Sequence, residues 1–233
     1  MDNYLELNFD KNMEMLSQAV KYCKEKFLHE DIINELYNDN DLKKQLCLIE
    51  LKEIGNQKEA DILVYNLTQH SGPIRETASF KILELIKQNN FQKFFQTENI
   101  INTFIKAVVD INPSVSRNSV EIIKFVNNKQ FIYEKLIDEI NNTLENMEDI
   151  KQNRSYSANK KNFNLYWNLE AVINLENSIQ IDERLIKILE QTALSNDYTI
   201  REKTAKCAKI YGINSILQML SNDENIYVKK YTG

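Results

Sequence analysis

Apolar positions recur along this chain with a helical rhythm. Phe9, Met13, Leu16, Val20, Cys23 and Phe27 stand at alternating intervals of four and three residues, which places them on one face of a helix of about five turns. That seam is shorter than three heptads, so it reads as a capping helix over 1–28 rather than a coiled coil with another molecule. The same rhythm then breaks into pairs of helices, A and B, each joined by a short polar turn. The spacing predicts pairs at 29–38 and 41–54, 57–69 and 73–88, 98–110 and 113–127, with an extra turn around Phe91, Phe94 and Phe95 before the third. A long A helix over 129–150 carries Phe131, Ile132, Leu136, Ile137, Ile140, Leu144 and Met147, and its B helix is expected at 162–175. The fifth pair falls at 181–195 and 197–211, and a sixth opens at 213–221.

A short pattern marks the start of several B helices: a small polar residue, two spacers, a branched apolar residue and a base. It stands as Asp39-Asn-Asp-Leu42-Lys43, Ser71-Gly-Pro-Ile74-Arg75, Asp197-Tyr-Thr-Ile200-Arg201 and Asn225-Ile-Tyr-Val228-Lys229, and more weakly as Asn112-Pro-Ser-Val115-Ser116-Arg117. Its first residue can accept a hydrogen bond from a free N–H of the first turn, and Pro113 at the first helical position sacrifices no needed donor. The branched residue one turn in would enter the core. Asp39, Ser71, Asn112 and Asp197 are therefore read as caps, not as catalytic acids. A supersecondary unit repeated in this way implies a solenoid, in which each helical pair buries its apolar face on the next.

These segments resemble HEAT repeats, most closely in SGPIRETASFKILELI and NDYTIREKTAKCAKI, where Ala78, Ser79, Thr204, Ala205 and Ala208 occupy the family's small-residue positions. The resemblance extends over nearly all of the chain after residue 28. It implies an all-α fold, a right-handed α-solenoid of about five to six HEAT-like helical pairs with an N-terminal capping helix, running as one domain over 29–233. Three departures stand out. Ser116 takes the usual Arg position, Lys81 replaces a small residue, and the helix near 162–175 lacks the apolar-Arg opening. The sequence also stops early in the last B helix, at YVKKYTG, so the expectation is either a shortened terminal repeat or a natural protein that continues.

Composition narrows the class further. Only four Gly and two Pro occur in 233 residues, which gives strands and tight hairpins little support. With 29 basic and 34 acidic residues the net charge is −5, which disfavours phosphate-driven binding across the whole surface. Cys23, Cys47 and Cys207 are widely separated and fit buried thiols better than disulfides or a zinc site. No leader-like segment or long apolar run is present, so a cytoplasmic protein without membrane spans is expected. Phosphate loops, Gly-x-Ser-x-Gly and His-Glu-x-x-His are missing, His29 and His70 sit at helix ends, and no enzyme activity, cofactor or metal is indicated.

B helices line the concave face of HEAT-like stacks, which makes Lys81, Lys124 and Lys206, with Lys87 and Lys209, candidates for contact with a partner. The 129–150 helix instead carries a run of acids, suggesting a basic inner face and an acidic outer one. The HEAT resemblance implies that Arg75 and Arg201 run along the stack and pair with polar turn groups of neighbouring repeats. The stretch KQNRSYSANKKNFNLYWNL interleaves Arg154, Tyr156, Tyr166 and Trp167 with lysines, a composition suited to anchoring a peptide or gripping a nucleic acid. The leading expectation is a non-enzymatic scaffold or adaptor that binds a protein or peptide along the B-helix face. The alternative is a nucleic-acid-binding relative of the helical-repeat DNA glycosylases, and a bilin lyase-like ligand handler is a more distant third. The HEAT architecture serves all three, so it fixes a fold rather than a role.

Overall fold

A computed structural model describes residues 27–146, 156–176 and 178–233, together with isolated helical positions at 14, 17, 18 and 21; over 156–158 it describes backbone alone. The described residues form helices and turns with no strand among them, and the chain divides into two compact units, 1–95 and 96–233. The seam residues Phe9, Met13, Leu16, Val20 and Cys23 all lie outside the described residues, as does Met147.

The first unit holds α1 (His29–Glu35), α2 (Asp41–Glu50), α3 (Gln57–Tyr65) with a 3-10 turn at Asn66–Thr68, α4 (Gly72–Ile86), and the short α5 (Asn89–Gln92) running into a 3-10 turn at Lys93–Phe95. The A helix α1 packs on the B helix α2, α3 packs on α4, and the two B helices lie side by side. Leu36, Leu48, Leu63, Ile82 and Phe95 are fully buried in this unit's core. Polar ties join the elements: Gln45 Nε2 donates to Thr77 Oγ1 at 3.1 Å between α2 and α4, and Gln57 Nε2 donates to the Phe94 carbonyl at 2.9 Å. The start of α3 is held by Glu59, whose carboxylate accepts from the Gly55 amide at 2.8 Å and lies 2.9 Å from His29 Nε2.

The second unit holds α6 (Glu98–Ala107), α7 (Pro113–Ile122) with a 3-10 turn at Ile123–Phe125, α8 (Lys129–Glu145), α9 (Tyr156–Ile173), α10 (Glu183–Thr192), α11 (Tyr198–Tyr211), α12 (Asn214–Leu220) and α13 (Ile226–Lys229). Helices α6, α8 and α10 contact one another in succession as an A layer. Helices α7, α9, α11 and α13 do the same as a B layer, and each A helix packs across onto its B partner. This two-layer stacking of helical pairs is the arrangement of an α-solenoid. The small residues Thr204, Ala205 and Ala208 of α11, like Ala78 and Ser79 of α4, are wholly buried where helices approach closely. Tyr133, also wholly buried, carries its hydroxyl to Asp182 Oδ1 at 3.1 Å and so ties α8 to the residue that caps α10. Burial, opposed in part by the Asp182 backbone, pushes the Tyr133 phenol up to about 12.

One turn device recurs in the second unit. Asp110, Ser195 and Asp223 each accept, through the side chain, the amide of the residue two places on: Asn112, Asp197 and Asn225. Those three in turn accept the amide of the residue two places beyond themselves, at 2.8 to 2.9 Å, and start the B helices α7, α11 and α13. Val115, Ile200 and Val228 follow in step, each with no exposed surface.

The basic position of the pattern closes the turn. Arg201 Nη1 donates to the Ser195 carbonyl at 2.7 Å, and Arg75 Nη1 donates to the Gln69 and His70 carbonyls at 2.9 Å. At the third site Ser116 Oγ donates to the Asp110 carbonyl at 2.7 Å, six residues back as in the Arg repeats. Serine is thus a direct substitute for the arginine: it meets the same carbonyl from a wholly buried position, without the long side chain.

Four expectations need correction. Ser71 makes no capping bond through its side chain. The other caps of this device take the amide two residues on, and at Ser71 that residue is Pro73, which has no N–H. Asp39 is not the cap of α2; Asn40 is, accepting from the Lys43 amide at 3.0 Å, which puts Leu42 out of register and leaves it only half-buried. Helix α9 begins at Tyr156 rather than 162, because the run through Asn159, Lys160 and Lys161 continues the helix that the apolar residues support, with polar side chains outward. Helix α8 ends at Glu145, and Asn146 turns its side-chain amide back to the Asn142 carbonyl at 2.7 Å.

Candidate functional site

The B layer of the second unit gathers the most chemically varied side chains. Phe163, Tyr166, Trp167 and Glu170 lie along α9 at intervals that keep them on neighbouring faces of the helix, while Leu165, Leu169 and Val172 carry its buried stripe. Across from them on α11, Lys203 and Lys206 are one turn apart. Glu170 receives both: Lys203 Nζ is 2.6 Å from Oε2, and Lys206 Nζ is 3.2 Å from Oε1. Lys203 also stands 4.5 Å from the centre of the Tyr166 ring, so a single ammonium meets a carboxylate and an aromatic face. Trp167 completes the group with edge contacts to Tyr166, at 5.3 Å and 84°, and to Phe163, at 6.3 Å and 67°.

Burial alone would push the Glu170 carboxyl up, but the hydrogen bond and charge of Lys203, with Lys206 behind it, more than offset this and hold it below the usual carboxylate range. Lys203 shows the converse. Burial would lower it, and the Glu170 bond raises it above the usual lysine range. At neutral pH the cluster is two ammonium groups around one carboxylate, with a net charge of +1.

The residues singled out from sequence are distributed as follows. Lys206, Tyr166 and Trp167 come together in this cluster. Lys124 is in the 3-10 turn after α7, exposed, with Nζ 2.7 Å from Glu121 Oε1. Lys81 lies in the first unit on α4, only 7% exposed, and reaches Glu84 at 2.8 Å. Tyr156 opens α9, and Arg154 lies outside the described residues. Sequence reasoning missed Glu170 and Lys203. Their signal was faint but present: Tyr166 and Glu170 are four apart, and Lys203 and Lys206 three apart, on consecutive B helices. It also missed the stacked pair Tyr198 and Tyr227, with ring centres at 6.4 Å and exposures of 43% and 55%, which links the starts of α11 and α13.

Elsewhere a cavity of about 650 Å³ in the first unit is lined by Tyr37, Lys58, Asp61, Ile62 and Tyr65, and a polar one of about 320 Å³ lies between α6 and α8 in the second, with Lys106, Lys135 and Glu139 among its walls. Cys47 and Cys207 are buried, and burial pushes the Cys207 thiol far up. Among the described residues no group of three His, Cys, Asp or Glu side chains could hold a metal ion, and no helix is long and apolar enough to cross a membrane.

No protein-family model and no curated protein sequence matches this chain. Its structure is similar to the crystal structure of an engineered protein, with a TM-score of 0.50 and 12% identity over 88% of this chain and 93% of that one. A second engineered protein (TM-score 0.49, 13% identity, 89% and 96% covered) and a designed armadillo repeat protein (TM-score 0.46, 14% identity, 88% and 97% covered) are further likenesses. The stacked A and B layers and the first of these likenesses define the class: an all-α helical-repeat protein of the solenoid type.

Proposed function

We propose that this chain is an interaction scaffold of the HEAT and armadillo type, which captures a protein or peptide on its B-helix face. The observation that carries this reading is the cluster around Glu170. Tyr166 and Trp167 are half-buried and fixed by edge contacts, and ordered Tyr and Trp side chains are among the residue types enriched at protein interfaces. The nucleic-acid alternative draws no comparable support. A base would need an open aromatic face, and one face of Tyr166 is taken by Lys203.

The test is capture from nuclease-treated lysate on the immobilised full chain, comparing wild type with Tyr166→Ala and with Lys124→Glu combined with Lys206→Glu. A partner held by wild type and lost by the variants, while their melting curves stay close to wild type, supports the reading. Retention that does not differ between wild type and variants overturns it. Material that disappears with nuclease alone would put the nucleic-acid alternative in its place.

A further inference from the structure

Charge is unevenly divided between the two layers of the second unit. The B helices α7, with its 3-10 turn, α9 and α11 hold eight Lys and Arg against three Glu, a balance of +5; the A helices α6, α8 and α10 hold five against seven, a balance of −2. The three B-layer acids are already engaged by lysines. Glu121 meets Lys124 at 2.7 Å, Glu170 meets Lys203 and Lys206, and Glu202 meets Lys230 at 2.8 Å. Arg117 and Lys160 are exposed on the same layer, with Arg117, Glu121 and Lys124 forming one stripe along α7. We infer that the B layer of this unit docks an acidic polypeptide segment, whose carboxylates are received by Lys206, Lys124 and Arg117 beside the Tyr166 and Trp167 edge.

This inference rests on the B-face reading and narrows it to one class of partner. Lys206 is the best-placed receiver in the cluster. Its contacts to Glu170 are the longer ones, at 3.2 and 3.5 Å, and an incoming carboxylate can take it while Glu170 keeps Lys203 at 2.6 Å. A basic partner would face the +5 layer and find its acids occupied. A polynucleotide would meet the same lysines but would find one face of Tyr166 taken, with an A layer and a whole chain of negative sign around it.

Trp167 is the chain's single tryptophan and sits inside the cluster, so its emission reports on this surface alone. The full chain is titrated at low salt with a synthetic peptide rich in Glu and Asp, with its Gln and Asn counterpart, and with a single-stranded oligonucleotide. The expected result is a saturable change in Trp167 emission with the acidic peptide and none with its amide counterpart. Lys124→Glu with Lys206→Glu should weaken it at least about tenfold, and Glu170→Gln, which removes the internal competitor, should tighten it about threefold or more. Lys124→Ala with Lys206→Met guards against misfolding of the charge-reversed variant, because Lys203 stays on Glu170, and it should weaken binding in the same direction. A flat titration, an equal response to the amide peptide, or binding unchanged in both double variants overturns the inference, as does a stronger response to the oligonucleotide. If the lysate capture yields a B-face partner whose binding segment is neutral or basic, the acidic-segment inference fails while the scaffold reading stands. If capture is indifferent to Tyr166 and the lysines, the scaffold reading itself fails.

Discussion

Arg201 holds Asp223 with two nitrogens, Nε to Oδ2 at 2.6 Å and Nη2 to Oδ1 at 3.1 Å, while its third nitrogen holds the Ser195 carbonyl. One guanidinium therefore joins the turn before its own helix to the turn before the next B helix. Such a fork suits the planar geometry of arginine and leaves lysine a poor replacement.

Arg201→Ala should accordingly destabilise the protein by about 2 to 4 kcal/mol, since it strands a nearly buried carboxylate and a turn carbonyl together. Arg201→Lys should recover less than half of that. Urea unfolding of the three proteins measures both.

Asp223 also sets a pH dependence. The Arg201 hydrogen bond holds its carboxyl below the ordinary value of 3.8, so unfolding takes up a proton in acid. The stabilisation is complete above that ordinary value and is lost as pH falls below it towards the depressed folded value. Glu170, lowered in the same sense, adds to the effect below its ordinary value of 4.5. Asp223→Asn should be less stable than wild type at pH 7 and should lose less stability between pH 5 and pH 2; thermal melts across that range decide it.

Ser116→Ala removes the hydroxyl that meets the Asp110 carbonyl and leaves the rest of the turn in place. The expected cost is about 1 to 2 kcal/mol. A cost near zero would mean that the serine does not do the work arginine does in the other turns.

Gly212 ends α11 at φ 69°, in the left-handed region, and an added methyl group would meet nothing within 4 Å. Gly212→Ala should therefore cost about 1 kcal/mol from backbone strain alone. Denaturation midpoints for this variant and for Gly72→Ala, where φ is not positive and space is also open, separate the backbone effect from packing.

The turns were the most legible part of this protein. Asn112, Asp197 and Asn225 are short polar residues ahead of a buried branched residue, and capping is settled by atoms two residues apart, so the sequence carries the information locally. The same reasoning failed at Ser71 because the donor it needed was removed by Pro73, and at Asp39 because two further cap-forming residues, Asn38 and Asn40, flank it. The candidate site was legible only in part. Tyr166, Trp167 and Lys206 were found from their types, but Glu170, which holds the lysines, reads in sequence as an ordinary solvated acid.

By itself, then, the sequence determined that the chain is helical, where most of its helical pairs fall to within a few residues, and which residues cap α7, α11 and α13, because periodicity and capping act over one or two helical turns. Only the tertiary structure decided which charges meet. Glu170 and Lys203 are 33 residues apart and Arg201 and Asp223 are 22 apart, and those pairs exist because α9, α11 and α13 lie side by side in one layer. Helix stacking sets that adjacency, and it brings lysines, arginines and acids that are far apart in the sequence into direct contact.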